Sequence, residues 1–176
     1  MNNGKAKIGK NFDGLNIVIP SKKNWFGLMF GFVWIIIWFT FFSKPAEFEN
    51  FGRNNFVTIW SLMWILGLLS MIFLILWGLF GEESFIMNRN DVLFEKTIFG
   101  IGIKKRFEIS EIKNFRLEAI NESMFGGNRW SYWGLGPGKI KFDYGLKTYS
   151  FGLGVEDAEA NYIIEILKEH FNKTEK

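Results

Sequence analysis

Two long stretches without a charged residue constrain this chain more than any other feature of its sequence. Residues 25–42 read WFGLMFGFVWIIIWFTFF, and residues 56–80 read FVTIWSLMWILGLLSMIFLILWGLF. Helices over these stretches would be about 27 and about 37 Å long, against a bilayer hydrocarbon core of about 30 Å. Helices buried in a soluble bundle need a polar face, and these have none. The sequence therefore predicts a transmembrane hairpin with spans at 25–42 and 56–80.

Lysine is concentrated before the first span. Residues 1–24 carry five lysines, whereas the connector 43–55 carries Lys44 and Arg53, balanced by two glutamates. Because basic residues are enriched on the cytoplasmic side of a membrane, we expect both termini of this multi-pass protein in the cytoplasm. A cleaved signal peptide is a poor alternative, since 24 mostly polar residues precede the first span.

The first span contains a GxxxG pair, Gly27 and Gly31. Such a pair lets two helices approach closely, either in a dimer or, as the simpler interpretation, between the two helices of the hairpin. Neither span contains an ionisable residue. This argues against ion or proton transport through the hairpin.

The composition excludes several kinds of site. The chain has no cysteine and one histidine, His170, which excludes disulfides, thiolate chemistry and His-rich metal centres. We therefore expect no metal and no cofactor, and His170 is interpreted as a cation at a helix end or as a half-buried residue at the flank of the helix. The net charge of +3 arises in the N-terminal segment, because residues 81–176 carry 14 basic and 15 acidic residues. With the remainder nearly neutral, no nucleic-acid partner is expected.

Residues 81–176 change to short alternating segments. VLFEKTIF and IGIKKRFEI meet across Gly100 and predict a β-hairpin. One face of the second segment carries Ile101, Ile103, Lys105, Phe107 and Ile109. Residues 156–171 switch to helical spacing, with an apolar stripe and acids in the first turn. The sequence predicts an α+β fold in which six or seven antiparallel strands are followed by a C-terminal amphipathic helix.

This pattern divides the chain into three parts. They are an N-terminal cytoplasmic segment at 1–24, the transmembrane hairpin at 25–80 and a cytoplasmic domain at 81–176. Residues 1–16 are expected to be mobile. The alternation of Leu15, Ile17 and Ile19 could instead add a strand to the edge of the domain.

A resemblance to a known group follows from this layout. The run IVIPSKKNWF leads into the first span, and KTYSFGLGVEDAEA leads into the closing helix. In these motifs, from about Ile17 to Phe171, the chain resembles bacterial membrane proteins that carry a PH-like domain after a two-helix hairpin. The resemblance implies an inner-membrane location and a small barrel-like pair of sheets capped by the last helix. Most members of the group have no assigned activity, so it implies no reaction.

The glycine-rich segment GLGPGKI, residues 134–140, invites comparison with a phosphate-binding loop. A Walker loop has four residues between its first Gly and the Gly-Lys pair and then Ser or Thr, whereas here three residues intervene and Ile140 follows Lys139. A strand is expected after the segment, so no helix N-terminus would face a phosphate. FGLG at 151–154 lacks the third glycine of a dinucleotide fingerprint. It is interpreted as a turn.

Basic residues of the domain suggest a candidate anion site. The five candidates are Lys104, Arg106, Arg129, Lys139 and Lys141. Brought together by the fold beside a membrane, they would bind anionic lipid headgroups. The alternative, which we favour, is a solvated face whose cations pair with Glu95, Glu108 and Asp143.

Aromatic residues near the glycines form a second candidate site. They are Phe125, Trp130, Tyr132 and Trp133. They would anchor the domain in the membrane interface, form a partner-binding surface, or fold over one end of the sheet. All three interpretations are compatible with the sequence.

Together these features favour a non-catalytic module, tethered to the bilayer, that binds protein or lipid. Its partner would be an anionic lipid headgroup, another membrane protein or a second copy of the chain. The competing class is an enzyme acting on a lipid or a membrane-bound substrate, with Arg129, Asp143 and Tyr144 as the available polar participants. No residue is assigned a catalytic role.

Overall fold

The structure is a computed structural model that describes residues 4–11, 14–42, 52–53, 55–120 and 129–174. The chain forms two compact units. One comprises Met1–Lys23 and Phe80–Lys176, and the other comprises Asn24–Leu79.

The second unit contains two apolar helices, α1 (Trp25–Phe42) and α2 (Asn55–Phe80), apart from the last residue of α2, Phe80, which belongs to the first unit. The side chain of Asn24 caps α1, because its Oδ1 accepts a hydrogen bond from the Gly27 N–H at 3.0 Å. The helices pack against each other in opposite directions. The contacting pairs are Leu28 with Gly78, Gly31 with Met71 and Ile75, and Trp34 with Gly67.

Gly31 allows this close approach. A Cβ atom at Gly31 would lie 3.0 Å from Met71 Sδ and 3.1 Å from Ile75 Cδ1. The ring of Trp34 stacks on that of Trp64 with centroids 5.9 Å apart. Gly31 of the GxxxG pair therefore packs against the neighbouring helix, as the simpler interpretation of the sequence predicts.

The first unit begins with a five-stranded antiparallel sheet in sequence order β1-β2-β3-β4-β5. The strands are β1 (Lys7–Asn11), β2 (Gly14–Pro20), β3 (Gly81–Met87), β4 (Asp91–Ile98) and β5 (Ile101–Glu108). Both helices of the second unit are inserted between β2 and β3. The Ser21 N–H donates to the Gly81 carbonyl at 2.8 Å, where the chain leaves this unit and re-enters it.

The N-terminal segment is therefore part of this sheet. Leu15, Ile17 and Ile19 are buried and belong to β2, so their alternation marks a strand as expected. That strand lies inside the sheet, because β1 covers its outer side. The division at residue 24 suggested by the sequence thus separates strands that the fold joins.

A three-stranded antiparallel sheet, a 3₁₀ turn and two helices complete this unit. A 3₁₀ turn at Ile109–Glu111 leads into the sheet, which runs β6 (Ile112–Leu117), β7 (Ile140–Tyr144) and β8 (Lys147–Phe151). The helix α3 (Arg129–Tyr132) precedes β7, and α4 (Asp157–Thr174) ends the described chain. The fold is α+β with antiparallel sheets and a C-terminal helix, as predicted, with eight strands in the described residues.

The two sheets and α4 enclose an aromatic core. Phe85 of β3 stacks on Phe151 of β8 at 5.0 Å and meets the edges of Phe115 and Phe142. The helix α4 buries an apolar face whose last member, Phe171, lies 4.9 Å from Phe115. The face consists of Ala160, Ile163, Ile164, Ile166, Leu167 and Phe171.

The β5 face expected to be apolar is only partly buried. Phe107 and Ile109 lie in the core, as the alternation predicts, but Ile101 and Ile103 are exposed. Lys105 lies over the ring of Tyr149, with its Nζ 5.0 Å from the centroid. The start of β5 therefore carries apolar side chains that this unit does not cover.

Candidate functional site

Two of the predicted basic residues lie on β5 of the first sheet, and two lie on or just before β7 of the second. On β5, Lys104 pairs with Glu95 at 2.8 Å and Arg106 with Asp91 at 3.1 Å. Lys139, just before β7, pairs with Asp157 at 2.7 Å, and Lys141 on β7 pairs with Glu118 at 2.5 Å. These four cations each have a carboxylate partner, as on the solvated face that the sequence analysis favours.

One detail of that pairing differs from expectation. Glu95 is a partner as predicted, but Asp143 pairs with Arg116, which was not among the candidates. The backbone of Arg129 begins α3, and its side chain is outside the described structure. The described side chains therefore do not converge on one anion site.

The aromatic candidates separate into exposed and half-buried residues. Trp130 is 59% exposed, whereas Tyr132 and Trp133 are half-buried and meet edge to face at 5.7 Å. Phe125 lies outside the described residues. Tyr132 and Trp133 are thus partly covered, whereas Trp130 is exposed.

The glycines after these aromatics are explained by close backbone packing. A Cβ at Gly136 would lie 1.9 Å from Ser131 Oγ, and one at Gly138 would lie 1.9 Å from the backbone of Phe151. Gly134 has a φ of +82°, and a Cβ at this position would lie 2.9 Å from the carbonyl oxygen of Lys22. The glycines of this segment pack closely against residues 22, 131 and 151. Its lysine, Lys139, pairs with Asp157.

Glu83 on β3 is a buried carboxylate that was not among the residues predicted from the sequence. Glu83 lies in the polar sequence GEES that directly follows the second uncharged stretch, yet it is 5% exposed. It accepts a hydrogen bond from the Gly152 N–H at 2.6 Å and pairs with Lys96 Nζ at 2.7 Å. Its alternation with Phe85 and Met87 along β3, which places it on the inner face, was the available signal.

Asp143, one of the polar residues considered for catalysis, is held in a network on the second sheet. Its carboxylate accepts hydrogen bonds from Arg116 at 2.7 Å, Thr148 at 2.7 Å and Asn114 at 3.2 Å. Asn114 has a φ of +56° and lies in the bulge where the β6–β7 register shifts. The hydrogen bond from Arg116, followed by those from Thr148 and Asn114, lowers the pKa of Asp143 to about 2.

These interactions make Asp143 a weak base near neutral pH, because a general base works best with a pKa close to the working pH. Burial raises the pKa of the neighbouring Tyr144 phenol, which keeps that group neutral.

The depression beside Asp143 has a volume of about 490 Å³ and is lined by Lys113, Arg116 and Lys147 among others. Among the described residues no group of three or more His, Asp or Glu side chains is placed to hold a metal ion.

A scan against protein-family models finds no model that matches this chain, and a search of curated proteins finds no match either.

Proposed function

We propose that this protein is a membrane-anchored, non-catalytic interaction module. In this proposal α1 and α2 cross the bilayer as a hairpin, and the unit of two sheets is a PH-like domain at the cytoplasmic face. The observation that carries the proposal is the uncovered apolar surface of the two helices.

That surface is extensive and uncharged. The helix α2 has 26 residues, and its most apolar window has a mean hydropathy of 2.4. At 1.5 Å per residue it is about 39 Å long, enough to cross a hydrocarbon core of about 30 Å with tilt. Large apolar side chains such as Ile36, Leu66 and Leu69 are exposed along both helices. Each would cost about 1.5 to 3 kcal/mol in water relative to a buried position, and lipid removes this cost.

The polar groups of the helices also suit a lipid environment. Thr40 Oγ1 donates to the Ile37 carbonyl and Ser70 Oγ to the Leu66 carbonyl, both at 2.8 Å. Hydroxyl groups bonded within their own helix present no unpaired donor to hydrocarbon. At 18 residues, α1 is about 27 Å long, close to the thickness that a span requires.

The PH-like assignment is supported by the arrangement of the first unit. A larger and a smaller antiparallel sheet are followed by a C-terminal helix that packs on the core. The cytoplasmic orientation is supported by the lysines of the N-terminal segment.

The proposed contact residue is Trp130. It remains exposed at the start of a segment whose following residues are closely packed, and an exposed tryptophan suits a binding surface or a membrane interface. The basic residues support headgroup binding less well, since the four with described side chains already have carboxylate partners.

Anchoring is tested by placing a charge in the middle of α2. Leu69→Lys should reduce the fraction of protein that stays in the membrane after alkaline carbonate extraction, because a central lysine costs about 2.5 to 3.5 kcal/mol on insertion. The matched control is Leu146→Lys, at a fully exposed turn of the sheet unit, which should extract like the unaltered protein. Release of the unaltered protein by carbonate would contradict the proposal.

The interaction surface is tested with a photo-crosslinking amino acid at Trp130 in intact membranes. Tyr162 on α4, also exposed, is the matched control position. We expect a discrete protein or lipid adduct at position 130 that position 162 does not give. Identical patterns at both positions would contradict a binding role for Trp130.

A further inference from the structure

An uncharged, exposed tip projects from the first sheet where β4 turns into β5. Residues 97–103, which we name the apolar tip, read TIFGIGI and contain no charge. Phe99 is 68% exposed and Ile101 is 82% exposed. Ile103 is exposed as well, so three large apolar side chains are exposed within five residues.

The turn at this tip is unusual for a hairpin in water. Ile98 pairs with Ile101, so Phe99 and Gly100 form a two-residue loop, and their φ values are +52° and +79°. Positive φ at both positions suits Asn-Gly or Asp-Gly, whereas a bulky aromatic rarely adopts it. A phenylalanine therefore occupies a position where folding alone favours a small polar residue, and its ring is left outside the core.

The register of the sheet places this tip beside Phe80, the residue that directly precedes β3 within the same unit. Gly81, the first residue of β3, pairs with Ile98, the last residue of β4, and neighbouring strands are about 4.8 Å apart. Phe80 is the last residue of α2, and its ring lies 4.7 Å from the ring of Phe99. The tip is thus fixed to the point where the chain returns from the second apolar helix.

We propose that the apolar tip inserts into the interfacial layer of the bilayer and holds the sheet unit against the membrane. This inference rests on the proposed function, in which α2 crosses the bilayer and Phe80 reaches its surface. Phe99 must then lie in the same layer, because its ring contacts that of Phe80. A loop of Phe and Ile residues at that depth removes from water the side chains that the fold leaves exposed.

The pattern of charge favours lipid over a protein partner at this patch. The charged residues that flank the tip are Lys96 and Lys104, which pair with Glu83 and Glu95. The turn at 88–90, at the opposite end of β4, is the polar sequence Asn-Arg-Asn. Apolar residues therefore mark the β4–β5 turn, which is the end continuous with α2, and polar residues mark the opposite end of β4.

The absence of cysteine from the chain allows a label at single chosen positions. The full-length protein is prepared with Ile101→Cys, Leu146→Cys or Leu69→Cys, labelled with an environment-sensitive fluorophore and reconstituted into liposomes. The liposomes carry nitroxide quenchers either near the headgroup or deep in the acyl chains. Leu146, 107% exposed in the β7–β8 turn, is the matched control for Ile101, and Leu69 reports the position of α2.

We expect the shallow nitroxide to quench the label at position 101 several-fold more than the label at position 146, and the deep nitroxide to quench the label at position 69. Quenching at 69 with equal, weak quenching at 101 and 146 would overturn the tip insertion and leave the anchoring intact. An unquenched label at 69 would overturn the anchoring, and the inference that rests on it would fail with it.

A second variant separates insertion from folding. Phe99→Asn suits the positive φ of the turn, so it should preserve the melting temperature of the protein. Combined with Ile101→Cys, it should weaken the shallow quenching of the label, because the main aromatic contact with lipid is lost. Unchanged quenching would contradict a role for Phe99 in holding the tip in the bilayer.

Discussion

Glu83 on β3 accepts a hydrogen bond from the backbone N–H of Gly152, 69 residues later in the chain and 2.6 Å away. Gly152 has a φ of +75° and directly follows β8. The other carboxylate oxygen of Glu83 lies 2.7 Å from Lys96 Nζ on β4. One buried side chain therefore joins the first sheet to the turn that leads into α4.

Replacing this carboxylate should destabilise the sheet unit. Glu83→Ala leaves the Gly152 N–H and the Lys96 ammonium without their partner, and we expect a loss of about 2 to 4 kcal/mol in the free energy of unfolding. Glu83→Gln keeps an oxygen for Gly152 and should cost less. Chemical denaturation in detergent micelles measures both, with the exposed Glu165→Ala as a control expected within about 0.5 kcal/mol of the unaltered protein. Equal stability of Glu83→Ala and Glu165→Ala would contradict this role.

The glycine segment before β7 should not tolerate a methyl group. Gly138→Ala would bring a Cβ within 1.9 Å of the Phe151 carbonyl group, so the backbone must move, at a cost of about 1 to 3 kcal/mol. Gly9→Ala on β1 is the matched control, because the nearest atom to its Cβ would be 3.9 Å away. Thermal unfolding should show a lower melting temperature for the first variant only. A similar melting temperature for both would show that the segment is not closely packed.

Gly31 should be required for the packing of α1 on α2. Gly31→Leu places a bulky side chain where even a Cβ would lie 3.0 Å from Met71, and we expect the helices to separate. Near-ultraviolet circular dichroism of the stacked Trp34 and Trp64 rings would report the change. Gly67→Ala, with an ordinary contact of 3.5 Å to Trp34, is the control. If Gly31→Leu changed the oligomeric state but not the circular dichroism spectrum, the role of Gly31 would be contact between chains and not the packing of α1 on α2.

The stability of the sheet unit should fall in acid, in part because the Asp143 carboxylate becomes protonated. Its pKa is lowered from 3.8 to about 2 by hydrogen bonds from Arg116, Thr148 and Asn114. A carboxyl group with a lowered folded pKa stabilises the fold above its unfolded pKa, and this contribution is lost as the pH falls through the folded pKa. We therefore expect the loss between about pH 4 and pH 2.

The variant Asp143→Asn should show a smaller fall in melting temperature than the unaltered protein over this range. Thr148→Val, which removes one of the donors to Asp143, should give an intermediate slope. Identical pH profiles for all three proteins would contradict the coupling.

Local pattern predicts the elements of this protein well. The two apolar helices begin and end within a residue of the uncharged stretches at 25–42 and 56–80. The hairpin across Gly100 and the amphipathic C-terminal helix also follow from spacing alone. These features depend on neighbours within a few residues, which the sequence displays directly.

The sequence by itself determined the apolar helices, the alternating strands and the closing helix, because period and charge act locally along the chain. Only the tertiary structure decided that β2 lies inside the sheet, that Glu83 is buried beneath Gly152, and that Gly138 packs on the backbone of Phe151. It also paired Lys104 and Lys139 with carboxylates on other elements. All of these contacts join segments that are distant in sequence and meet only when the sheets form. Whether a charged residue or a glycine is buried therefore depends on the residues that pack against it in the folded protein.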